Sequence, residues 1–93
     1  MNSLVEIQIP LAVDVRIEDE LFYVVLEDAR EIGVPYIWYW RLAQATEADR
    51  RNWRFISGGA GIHWENIDED ISVAGILKGN KNPNPSIGLP VQN

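Results

Sequence analysis

Cysteine is absent from this 93-residue chain, which excludes disulfides, thiol nucleophiles, iron–sulfur clusters and cysteine zinc sites. That absence also fits a reducing compartment. Basic residues are scarce. Eight Lys and Arg face 14 Asp and Glu, a net charge of −6, and phosphate neutralisation needs the opposite balance. Direct nucleic-acid binding is therefore not expected. Long apolar runs are missing too: the densest, around Leu21–Leu26, falls far short of the ~20 residues a membrane helix needs. Met1–Pro10 has neither a basic start nor an apolar stretch, so no secretory signal is expected. The default location is the cytoplasm, with no membrane contact.

The composition that remains, 46% hydrophobic and 24% charged, is that of an ordinary globular protein. The length suits one domain. Its charge is unevenly spread. Residues 1–31 carry eight acids against Arg16 and Arg30, a net of −6, while residues 32–63 carry a net of +2 through Arg41, Arg50, Arg51 and Arg54. Residues 64–93 return to −2.

The fold class expected is α+β. Leu11, Val13, Val15 and Ile17 alternate with Ala12, Asp14, Arg16 and Glu18, the period of a half-buried strand. Leu21–Leu26 is a β-branched and aromatic run, and Glu31–Tyr36 alternates again. Two short connections make the three an antiparallel meander, which Pro35 closes because it cannot donate to a ladder. Thr46-Glu47-Ala48-Asp49 reads as a capping sequence for a short helix to about Asn52, with Asp49 reaching back to Thr46. Trp53–Ile56 and Gly61–Trp64 form a further hairpin across Ser57-Gly58-Gly59-Ala60. Glu65, Asp68, Glu69 and Asp70 read as an acidic turn. It leads into a C-terminal helix, Val73–Lys78, capped by Ser72 and closed by Gly79. The domain is expected over residues 4–79, followed by a flexible Pro/Asn-rich tail, 80–93.

Candidate chemistry is sparse. The glycine cluster at 58–61 lacks the Lys-Ser/Thr of a phosphate loop and the spacing of a dinucleotide fingerprint. His63 is the one histidine, and none of Ser3, Ser57, Ser72, Ser86 or Thr46 lies in a nucleophile motif. A structural histidine near a sheet edge is its simpler reading. Asp68–Asp70 lacks the alternating spacing of a calcium loop. No cofactor or catalytic residue is implied, and a weak metal or hydrolase site at His63, Asp68 and Asp70 stands only as an alternative.

The aromatics say more. Trp38, Trp40, Trp53 and Trp64 lie within positions 38–64, with Tyr36, Tyr39 and Phe55 among them. Trp, Tyr and Arg dominate binding hot spots. The interaction candidates are Tyr36, Trp38, Tyr39, Trp40, Arg41, Arg50, Arg54, His63 and Trp64. An aromatic-rich core and a surface covered by a partner chain both account for them, and a homodimer is one such partner.

Val34-Pro35, Trp38-Tyr39-Trp40-Arg41-Leu42, Ala45-Thr46 and Arg50-Arg51-Asn52-Trp53 together resemble the bacterial Domain of Unknown Function 2442 family. Gly61-Ile62-His63-Trp64, Asp68-Glu69-Asp70-Ile71-Ser72 and Gly75-Ile76-Leu77 follow in the family's order, so the resemblance covers about residues 10–79. It implies a small α+β domain with a β-meander and assigns no activity. It also implies association with two-gene, toxin–antitoxin-like modules; some members add a helix-turn-helix domain where this chain has its short tail. Two departures stand out. Ala29 occupies a position where the family commonly has Gly, which speaks against a φ > 0 turn there. Trp40 occupies one where it commonly has Pro. The leading expectation is a non-enzymatic protein-interaction module, and the alternative is an antitoxin-like partner of a small basic toxin.

Overall fold

The computed structural model describes residues 8–83. Three antiparallel strands come first: β1 (Ala12–Ile17), β2 (Leu21–Leu26) and β3 (Glu31–Pro35), in the order β1-β2-β3. Period-two alternation sets their faces. Phe22, Val24, Leu26 and Val34 are buried, while Leu21, Tyr23 and Val25 look outward. In β1 the expected face is corrected. The register shifts between Ala12 and Asp14, so Ala12 and Val15 point inward and Val13 is left 56% exposed. A bulge adds one residue to a strand and so flips the parity of everything beyond it.

The β2–β3 turn also departs from expectation. Ala29 adopts φ 79° without a glycine. The Asp28 carboxylate holds the turn, accepting from the Arg30 backbone N–H at 3.1 Å and its Nε at 2.9 Å. These bonds favour the charged carboxylate and lower its pKa.

The connection between the sheets is short and helical. A 3₁₀ turn, Tyr36–Trp38, leads into α1 (Trp40–Ala43) and α2 (Glu47–Arg51). Thr46 caps α2 as expected, accepting from the Asp49 N–H at 3.1 Å. The reciprocal half is absent: the Asp49 carboxylate instead accepts from Asn66 Nδ2 at 2.9 Å. Asn66 thus ties the helix to the loop that follows the fifth strand.

The second sheet is also three-stranded: β4 (Trp53–Ile56), β5 (Gly61–Trp64) and β6 (Glu69–Ser72), all antiparallel. The acidic stretch is therefore a turn over Glu65–Asp68 and a strand from Glu69 onward. Ile71 faces inward beside Ile62, and Glu69 faces inward beside Trp64, so a carboxylate holds a position where alternation calls for an apolar residue. The Ser57–Gly59 turn seats against β1 so closely that a Cβ on Gly59 would lie 2.5 Å from the Ala12 carbonyl oxygen. Helix α3 (Val73–Lys78) forms as read, with Ser72 Oγ accepting from the Gly75 N–H at 2.9 Å and Gly79 left-handed at its end.

One apolar core spans both sheets. Phe22 meets Trp64 edge-on at 5.4 Å and Tyr36 at 5.8 Å. Beyond α3, Asn82 bridges to Tyr39, so the chain past residue 79 still runs along the domain. Residues 4–7 of the expected domain and 84–93 of the expected tail lie outside the described residues.

Candidate functional site

The structure divides the aromatic cluster. Tyr36, Tyr39 and Trp64, read as contact candidates, are 2%, 6% and 0% exposed and belong to the core. Each sends its one polar group to a backbone carbonyl: Tyr36 to Glu18 at 2.8 Å, Tyr39 to Asn80 at 3.0 Å, Trp64 to Arg50 at 2.9 Å. A ring with a single donor can be buried when that donor is bonded, and these three meet the condition. Burial pushes both tyrosine hydroxyls above their ordinary pKa, and the Glu69 charge adds to the effect at Tyr39.

Arg50 is half-buried and engaged within the chain. Its guanidinium stacks 4.0 Å from the Tyr36 ring centre, and it donates to the Leu42 and Ala43 carbonyls at 2.9 and 3.2 Å. It caps the last turn of α1, whose final carbonyls lack the N–H donors that a longer helix would supply.

What remains is a compact outer platform. Ile37 is 70% exposed, an unusual position for a large aliphatic beside two half-buried tryptophans. Lys81 Nζ lies 4.6 Å from the Trp38 ring and Arg41 Cζ 4.6 Å from the Trp40 ring. Two hydrogen bonds hold Lys81 there: Asn82 N–H to Trp38 O at 2.7 Å, and Trp40 N–H to Asn82 O at 2.9 Å. Trp40 and Arg41 also wall an open groove of about 280 Å³ with Gln44, Thr46 and Ile67. Sequence reading missed Lys81, whose link to Trp38 spans the whole second sheet.

Behind the platform sits Glu69, its side chain 9% exposed and its Oε1 without a hydrogen-bond partner among the described residues. Arg41 Nη1, at 3.7 Å, is the one cation within 4.0 Å of it among the described residues. Desolvation raises the Glu69 pKa, and Arg41 opposes that only in part. The inward parity it shares with Ile71 is the sequence signal that marks it.

The other candidates line the outer face of the second sheet. Arg54, His63 and Asp70 stand opposite one another on β4, β5 and β6. His63 Nδ1 contacts Asp70, its Nε2 lies 3.2 Å from Glu65, and Glu65 lies 3.5 Å from Arg54. Both ring nitrogens face carboxylates, and among the described residues no hydroxyl bonds to the row; Ser72 Oγ is committed to its helix cap. Asp68, at a turn with φ 52°, is not part of it. Among the described residues no group of three His, Asp or Glu is placed to hold a metal. The arrangement is a polar network across the outer face of the sheet.

A family model for proteins of unknown function, DUF2442, matches residues 12–82. The chain belongs to the DUF2442 family. Two solved structures share its fold. One is a protein of unknown function from Rhodospirillum rubrum, 24% identical, with a TM-score of 0.72, covering 83% of this chain and 94% of its own. The other is an uncharacterized protein from Chromobacterium violaceum, 20% identical, with a TM-score of 0.70, covering 84% and 73%. No curated protein matches the chain. Among the described residues no helix is long and apolar enough to cross a membrane.

Proposed function

We propose that this DUF2442 protein is a non-enzymatic protein-interaction module whose contact surface is the platform of Ile37, Trp38, Trp40, Arg41 and Lys81. One observation carries the reading: two half-buried tryptophans each lie under a cation, beside an aliphatic residue that is 70% exposed. Such rings offer large rigid contact area at low entropic cost, and their cations supply direction. The backbone clamp through Asn82 favours a preorganised surface, which reduces the ordering cost of binding.

The test is co-expression with the product of the adjacent gene, followed by co-purification with the wild type and with a Trp40→Ala, Lys81→Glu variant. The wild type retains its partner, and the variant, with unchanged melting temperature, loses it. Equal retention by both would remove the platform from the contact.

A second reading rests on the β1–β2 turn. Asp19 and Glu20 have no cation within 4.0 Å among the described residues, which suits an antitoxin-like grip on a small basic protein. Capture lost in Asp19→Lys, Glu20→Lys and kept in the platform variant would select it.

A further inference from the structure

The platform and the β1–β2 turn are chemically opposite, and among the described residues each holds charges with no opposite charge within 4.0 Å. Of the eight Lys and Arg residues, Arg50, Lys78 and Lys81 have no carboxylate within 4.0 Å among the described residues. Arg50 is spent on carbonyls and Lys78 lies at the end of α3, whereas Lys81 sits on the exposed platform. Arg41 reaches only the buried Glu69, at a separation too long for a hydrogen bond, and is itself 38% exposed. Glu18, Asp19 and Glu20 form an exposed acidic tip, of which, among the described residues, only Glu18 has a cation within 4.0 Å, Arg16 at 3.4 Å. The tip is flanked by Leu21 and Tyr23 on one side and shares a shallow pocket with Ile37 on the other, so apolar surface lies next to its charges.

We infer that a second copy of this chain occupies the platform, each copy seating its Glu18-Asp19-Glu20 turn on the Trp38/Trp40/Arg41/Lys81 surface of the other. The exchange is reciprocal, so two equivalent contacts close a two-fold dimer instead of propagating. The inference rests on reading the platform as a contact surface, and goes beyond it by naming the occupant. The −6 on each copy opposes association at long range. At about 0.15 M salt the screening length of ~8 Å removes most of that repulsion while charges in contact still attract.

The experiment is light scattering on the full chain at millimolar concentration. At about 0.15 M salt the mass is twice the 10.6 kDa of one chain, and at about 1 M salt, with a screening length of ~3 Å, it falls to one chain. Lys81→Glu alone and Asp19→Lys, Glu20→Lys alone are each folded monomers by circular dichroism. Mixed in equal amounts they regain the doubled mass, because the mixed dimer pairs one native contact with one charge-reversed contact. A wild type that stays at 10.6 kDa, variants that keep the doubled mass, or a mixture that fails to recover it overturns the inference. So does a monomer whose Trp38 and Trp40 indole signals move on adding poly-glutamate or single-stranded RNA. A monomer that still captures the adjacent gene's product through the platform removes only this inference and leaves the broader reading intact.

Discussion

The first sheet is tied together within itself, while the second depends on the segment that joins them. On the outer face of the first, Arg16 stacks 4.6 Å from the Tyr23 ring and reaches across β2 to Glu31 at 2.9 Å. Tyr23 in turn lies over Gly33, where an added Cβ would meet its ring at 3.0 Å, so the aromatic ring covers a glycine that buries nothing itself. The second sheet holds Trp64 at its centre, and that indole is bonded to Arg50, whose side chain in turn closes α1 and covers Tyr36. Damage to the first sheet's outer face therefore stays local. Damage to the Trp64–Arg50 linkage reaches the core, the connecting helices and the base of the platform.

Breaking that linkage gives the largest effects. Trp64→Ala removes a fully buried ring and costs about 3–5 kcal/mol, enough to unfold a domain this small, whereas Tyr23→Ala costs about 1 kcal/mol. Urea melts of the two variants compare the sheets directly, and equal losses would erase the distinction. Arg50→Met removes two bonds from a charged donor and costs about 2–3 kcal/mol, read as a fall in melting temperature.

Glu69 sharpens the comparison with the opposite sign. Its folded pKa is raised, so the folded state holds the proton more tightly than the unfolded state does. Stability from this group is complete below the unfolded glutamate range, about 4.3, and is lost as pH rises through the higher folded value. Glu69→Gln stabilises the protein by about 1 kcal/mol at pH 7, because Arg41 stays partly solvated when its partner is neutral. It also flattens the stability gain on acidification, which denaturant melts at pH 7 and 5 measure. The smallest change lies in the first sheet. Ala29→Gly relieves a left-handed residue and raises stability by about 0.5–1 kcal/mol after the added freedom of the unfolded chain, seen as a small upward shift in melting temperature.

The same contrast explains what was legible in the sequence. Strands β2 and β3 declare themselves because each inward position is apolar, and α3 because Ser72 and Gly79 mark its ends. Strand β6 was hidden, since Glu69 takes an inward position and acids usually mark solvent. The bulge at Val13 was hidden too: an apolar residue fits alternation even when the backbone turns it outward. At the candidate site, the tryptophans and Arg41 could be named from their residue types. Which rings face out could not, because it is decided by bonds from distant parts of the chain, Arg50 to Trp64 and Asn82 to Trp38.

The central claim is that one aromatic cluster is split between a core and a contact surface, and hydrogen exchange of the indole N–H groups, followed by NMR, tests it most directly. Trp64, fully buried and bonded at 2.9 Å to the Arg50 carbonyl, exchanges only through global unfolding, while Trp38 and Trp40 exchange orders of magnitude faster. If Trp38 and Trp40 are protected to the same degree as Trp64, all three belong to the core and the platform does not exist.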